Sequence, residues 1–188
     1  MGTVARHLAA VAVILTILQY VKAEKQTGLT LVGVLLQPMA KGMELQYPGA
    51  KDNFQYIKGF FVDYIESAGA SAVLIPFDLP LDTLNLVLDS LQAVMLPGGA
   101  ADLVDKNGEP TAYQLRQHYI LEYAKKRFLA NKPLPVMGIC LGFEAMLISA
   151  AGNNCSVLQG GFNDNLTAHS LSIDQSELEK TKIWSSFD

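Results

Sequence analysis

Histidine is scarce in this chain, with three in 188 residues: His7, His118 and His169. Within these 188 residues, imidazole chemistry has only those three to draw on. Cysteine is scarcer still, at Cys140 and Cys155, so at most one disulfide can form within the chain. No run of Lys and Arg stands out, the formal net charge is −4 and the pI is near 5.3, which leaves nucleic-acid binding without support. Internal repeats and low-complexity linkers are absent, so neither a solenoid nor a disordered tether is indicated. Charge is low as well: 17% of residues are charged and 50% are hydrophobic, the balance of a packed globular protein. At this length the chain can hold one domain with a real core.

The first 23 residues stand apart from that domain. Arg6 and His7 precede Leu8–Leu18, eleven residues that are apolar except for Thr16. That run is shorter than the ~18 residues a bilayer span requires. Val21-Lys22-Ala23 then places small or aliphatic residues at the minus-three and minus-one positions, so residues 1–23 read as a secretory signal peptide cleaved after Ala23. No stable membrane insertion is expected after cleavage, and the domain proper is residues 24–188. Losing Arg6 and Lys22 takes the 14 basic residues to 12 against 18 acidic ones, a net charge of −6. Behind a signal peptide, Asn154-Cys155-Ser156 and Asn165-Leu166-Thr167 gain weight as N-glycosylation sequons.

The chain is organised around Lys132–Gly152. Val136–Ile139 is a short apolar run bounded by Pro133 and Pro135, and it reads as a buried strand. From Leu141 the period becomes helical, with Phe143, Met146, Leu147 and Ala150 on one face and Gly152 placed to end the helix. Cys140 therefore sits at the turn, in the spacing Gly138-x-Cys140-x-Gly142, the cysteine counterpart of a nucleophile elbow. A tight strand-to-helix turn crowds the residues two positions to either side, and glycine removes the side chains that would collide. The helix N-terminus aims free N–H groups and a positive dipole end at the sulfur, which favours the thiolate. Cys140 is accordingly read as a nucleophile. A disulfide would consume it, so both thiols are expected free, with Cys155 structural.

Taken in order, the rest of the domain alternates strand and helix. Leu29–Leu36 reads as a first strand buried on both faces, followed by Gln37-Pro38 and a loop over Met39–Asn53. Phe54, Ile57, Phe60, Phe61, Tyr64, Ile65 and Ala68 mark the core face of a helix ending at Gly69. Strands are expected at Ala72–Phe77 and Ala93–Leu96, and helices at Leu81–Leu88 and Thr111–Ala130. The longer helix should turn Ile120, Leu121, Ala124 and Phe128 inward and let Lys125, Lys126 and Arg127 complement its dipole. A further strand is expected over Leu166–Ile173. This alternation predicts an α/β domain, a doubly wound, mostly parallel sheet with helices on both faces. In such sheets ligands lie beyond the carboxyl ends of the strands. Gln37-Pro38, Pro97-Gly98-Gly99 and Cys140 all fall at such ends. A backbone without side chains at Gly98-Gly99 can present an N–H to a developing oxyanion.

These residues resemble the γ-glutamyl hydrolases, folate polyglutamate-cleaving cysteine peptidases of the class I glutamine amidotransferase-like superfamily, a flavodoxin-like fold. Four stretches carry the resemblance: Gly33-Val-Leu-Leu-Gln37, Tyr64-Ile-Glu-Ser-Ala-Gly69, Leu96-Pro-Gly-Gly-Ala-Ala-Asp-Leu103 and Gly138-Ile-Cys-Leu-Gly-Phe-Glu144. It implies cleavage of γ-linked glutamates from folyl and antifolyl poly-γ-glutamates, in the extracellular space, a lysosome or a vacuole, with no cofactor and no metal. Cys140 would be the nucleophile, and the N–H groups of Gly99 and Leu141 the oxyanion hole. Gly98, Gly138 and Gly142 would be turn glycines, and Glu144 a helix-start residue rather than a catalytic acid. A homodimer is left open.

The resemblance implies one element that the chain lacks. The family's general base is a histidine in a His-Pro-Glu motif, and no such motif occurs here. His118 reads as a helix-surface residue. His169 lies in the appropriate half of the chain and matches no catalytic position of the family; it is the candidate base the chain itself offers. The family domain continues beyond Asp188, so the chain is expected to be a C-terminally truncated member and feebly active as it stands. Two classes stay open: a cysteine hydrolase, or a non-catalytic binding protein that keeps the pocket. For targeting, the expected outcome is a mature N-terminus at Glu24 on N-terminal sequencing of protein from a secretory compartment; a retained Met1 with membrane association would contradict it.

Overall fold

The computed structural model describes residues 28–40, 42–43, 54–159, 170, 172 and 174–180, with two further helical positions at 16 and 19. Most of the signal peptide, most of the Met39–Asn53 loop, most of the strand expected at Leu166–Ile173, His169 and the Asn165 sequon lie outside the described residues. Two compact units divide at Leu158. In the first, the elements run β1 (Thr30–Leu35), β2 (Gln37–Pro38), β3 (Gln55–Tyr56), α1 (Phe60–Ser67), β4 (Ala70–Ile75), α2 (Leu81–Ser90), β5 (Ala93–Leu96), α3 (Ala112–Leu129), β6 (Val136–Gly138) and α4 (Leu141–Ala150), then a 3-10 turn at Cys155–Val157. The second holds, among its described residues, one short helix, α5 (Gln175–Leu178), whose Asp174 side chain caps Ser176 and Glu177.

Among the described residues, four parallel strands form the main sheet in the order β4-β1-β5-β6. Counting only these strands, the order is second, first, third, fourth, the doubly wound order of flavodoxin. The first crossover, through α1, moves one way across the sheet, and the next two, through α2 and α3, move the other. Right-handed crossovers then place α1 on one face and α2 and α3 on the opposite face. Two cores follow from the period of two along each strand. Leu31, Leu35, Val73, Ile75, Val94 and Leu96 pack with Leu84, Leu88, Tyr113, Ile120, Ala145 and Ile148. On the other face Val34 and Met95 pack with Phe61 and Ile65. The chain thus has the α/β doubly wound fold that its alternating pattern predicts.

Several expectations are corrected in detail. The helix expected from Phe54 begins only at Phe60, because Gln55–Tyr56 pairs antiparallel with Gln37–Pro38. Gln55 also accepts from Phe77 N–H at 2.8 Å, holding that segment extended. Of the aromatic stripe, Phe61 is buried, while Phe54, Phe60 and Tyr64 are exposed. The second core strand is Ala70–Ile75, two residues earlier than expected, since Gly69 at φ +79° ends α1 at once. In α4 the buried face is Leu141, Gly142, Ala145, Ile148 and Ser149, whereas Phe143, Leu147 and Ala150 are exposed. A helix apolar nearly all round has no unique inward face by period alone. Val136–Gly138 is one of the sheet's two edge strands among the described residues, with Met137 half exposed rather than buried.

Helix α3 needs one more correction. Its 18 residues span roughly 27 Å, longer than the strands beneath it, so its last turn overhangs and Phe128 stays 71% exposed. Thr111 caps its start by accepting from Gln114 N–H. At its end Arg127 bridges outward, donating to the Leu88 carbonyl at 3.1 Å and the Lys132 carbonyl at 2.9 Å. Lys125 pairs with Glu122 on the surface. Ile120→Ala should therefore cost about 2–5 kcal/mol in urea unfolding, and Phe128→Ala less than about 0.5 kcal/mol. Similar losses for both would contradict this orientation.

Candidate active site

Cys140 stands between β6 and α4 with φ 51° and ψ −114°. It is exposed, and its thiol is free. Positive φ in a residue other than Gly, Asn or Asp is strained by about 1–3 kcal/mol and persists only where the surroundings enforce it. The enforcement is visible. Ile139 N–H donates to the Leu96 carbonyl at 3.1 Å, continuing the β5–β6 ladder past the last paired residues. One turn of chain later, Gly142 packs on that same carbonyl so closely that a Cβ there would overlap it. Gly138 in turn lies against the Gly142 backbone and the Met146 sulfur, again with no room for a side chain. The glycines two residues before and after Cys140 thus bring the end of β6 and the first turn of α4 onto one backbone atom of β5.

The end of β5 supplies the second wall. A Cβ built on Gly98 would stand 3.0 Å from Cys140 Cβ, so Pro97-Gly98-Gly99 runs directly beside the thiol. Among the described residues, the N–H of Gly99 and the N–H of Leu141 meet no acceptor. Leu141 is the first residue of α4, where an unpaired N–H is intrinsic to the helix. The arrangement can offer donors to an oxygen that gains negative charge next to the sulfur. Glu144 sits in the first turn of α4, donating its N–H to the Cys140 carbonyl. Behind the loop lies Gln37, almost wholly buried, with its amide against Gly99. Sequence reasoning placed Gln37 at a strand end and gave it no role; its one signal was a polar residue closing an apolar strand.

Other candidates lie elsewhere. His118 is not a simple surface residue: it is half buried, and its Nδ1 is enclosed with no hydrogen-bond partner among the described residues. It lines a groove of about 380 Å3 with Leu121, Glu122, Lys125, Met146, Ser149 and Ala150 of α4, and Gly152 just past that helix, away from the helix's Cys140 end. Among the described residues no group of three His, Cys, Asp or Glu side chains could hold a metal, and no helix is long and apolar enough to cross a membrane. Cys155 packs against the larger core, and burial, with Glu109 and Asp105 nearby, pushes its thiol above the ordinary range.

Residues 30–181 match the Peptidase C26 family. The chain belongs to that family. Among curated proteins it is similar to gamma-glutamyl hydrolase of Mus musculus, 34% identical over 124 residues, covering 66% of this chain and 36% of the mouse protein. Gamma-glutamyl hydrolase B of Dictyostelium discoideum is 28% identical over 116 residues, covering 62% of this chain and 31% of that protein. The human gamma-glutamyl hydrolase is 27% identical over 122 residues, covering 65% and 35%. The chain therefore spans about a third of the length of the relatives it matches.

For this C26 family member the two thiols should separate in rate. Iodoacetamide should label exposed Cys140 well before Cys155, whose raised pKa leaves less thiolate near neutral pH; the gap should narrow as pH rises. Equal, slow labelling of both in folded protein would contradict the open position of Cys140.

Proposed function

We propose that the chain is a cysteine-dependent γ-glutamyl hydrolase that removes γ-linked glutamates from folyl or antifolyl poly-γ-glutamates. The observation that carries this reading is Cys140, an exposed thiol held at φ 51° on the strand-to-helix junction of a C26 family domain. In the proposed reaction the sulfur attacks the γ-carbonyl carbon, and the N–H groups of Gly99 and Leu141 receive the oxygen as it gains charge. Collapse expels the amine of the leaving glutamate, which must take up a proton, and water then hydrolyses the thioester. The chemistry calls for no metal or cofactor. The relatives' names support a γ-glutamyl bond as the target, the family resemblance of the four motifs supports the folyl poly-γ-glutamate, and the signal peptide read in residues 1–23 supports passage through the secretory pathway to an extracellular, lysosomal or vacuolar site.

Protonation of the departing amine is the step without an assigned residue. A serine-type triad that loses one member keeps only about 10³–10⁴-fold acceleration over water. The 188-residue chain should therefore release glutamate from a poly-γ-glutamyl folate slowly, and Cys140→Ala should abolish even that. Turnover at an ordinary enzymatic rate, lost in His169→Ala, would assign the proton transfer to His169. Glutamate release that survives Cys140→Ala would contradict the proposal, and tight substrate binding without turnover would return the binding-protein reading.

A further inference from the structure

Gln37 is a buried polar side chain that the reaction above leaves unused. It is 1% exposed, at the start of the two-residue strand that pairs with Tyr56. Its Nε2 donates to the Gly98 carbonyl at 2.8 Å. Its Oε1 accepts from the Tyr56 hydroxyl at 3.3 Å, and that hydroxyl oxygen accepts from the Ala100 N–H at 3.4 Å. Gly99 is thus bracketed, with a bond on the peptide before it and a bond on the peptide after it. Its own Cα rests on the Gln37 amide, where a Cβ would overlap.

The geometry has a consequence for direction. The peptide joining Gly98 to Gly99 is planar and trans, so its C=O and N–H point opposite ways. Holding the Gly98 oxygen on Gln37 turns the Gly99 N–H away from the buried amide, and no acceptor among the described residues meets it there. Without that anchor, a Pro-Gly-Gly-Ala stretch has two residues free to rotate through either sign of φ. We propose that Gln37 and Tyr56 form a positioning clamp that sets the aim of the Gly99 N–H beside Cys140, an inference that rests on Cys140 being the nucleophile of a γ-glutamyl hydrolase. Neither residue touches the reacting atoms; both act through the 97–100 backbone.

The test compares two reactions of the same thiol in the full chain. With N-acetylglutamate γ-(4-nitrophenyl) ester, the sulfur bonds to the γ-carbonyl carbon and the carbonyl pair moves onto oxygen. That pair returns as the C–O bond breaks, leaving a thioester and 4-nitrophenolate; a thiol reactant gives its proton to buffer. The phenolate leaves without a general acid, so the missing proton donor does not matter. Iodoacetamide instead alkylates sulfur by displacing iodide and forms no oxyanion. Gln37→Met and Tyr56→Phe should each slow acylation, read as nitrophenolate release and as mass added at Cys140, by about 10-fold or more. Both should leave alkylation within about twofold. Unchanged acylation in both variants would overturn the clamp, and so would a parallel fall in the two rates, which marks general damage to the fold. A parent chain that alkylates at Cys140 but never acylates would overturn the hydrolase reading itself, and the clamp with it.

Discussion

The Leu96 carbonyl is the atom on which the rest of the site depends. It closes the β5–β6 ladder by accepting Ile139 N–H, and it also forms the floor on which Gly142 sits. A strand and the helix that follows it cannot both approach one backbone oxygen unless the residue between them bends sharply outward. Cys140 is that residue, and its positive φ is the geometric price of the approach. Any side chain at Gly142 would lift α4 from the sheet, and the thiol would move with it. Packing of Leu141, Ala145 and Ile148 into the larger core holds the helix down against that strain.

The doubly wound topology explains why three separated stretches meet at this point. β1 and β5 are neighbours in the sheet, yet their helices lie on opposite faces, so the crevice beyond their carboxyl ends is open. Gln37 follows β1, Pro97-Gly98-Gly99 follows β5, and Cys140 follows β6. Each contributes what its position allows. The strand end after β1 gives a buried amide, the glycine turn after β5 gives an accessible backbone, and the helix start after β6 gives the sulfur and an unpaired N–H. In the proposed mechanism these become the anchor, the donors and the nucleophile.

Much of this was legible in the residues because the relevant signals are local. Gly138-x-Cys140-x-Gly142 and the apolar runs at Leu29–Leu36 and Ala93–Leu96 each carry their meaning within a few positions. What escaped were relations across the chain. Gln37 gained a role only through contacts with Gly98 and Tyr56, 61 and 19 residues away. Periodicity suggested a helix through Gln55–Tyr56, but pairing with β2 prevailed. In α4 nearly every position is apolar, so the buried face was decided by Gly142 against Leu96, which no helical pattern records. His118 reads as a helix-surface residue from its place inside α3, and the enclosure of its Nδ1 comes from packing across the fold rather than from its neighbours in sequence.

The central claim is that Cys140, Leu141 and the Gly98-Gly99 loop form one site that stabilises negative oxygen. Its most direct measurement is a crystal structure of the chain treated with glutaric semialdehyde, an analogue of the γ-glutamyl group that lacks the amine. The account predicts a hemithioacetal on Cys140 whose oxygen lies about 3 Å from both the Gly99 and the Leu141 nitrogens. An adduct on Cys155, or an oxygen on Cys140 turned to solvent with neither nitrogen in reach, would contradict it.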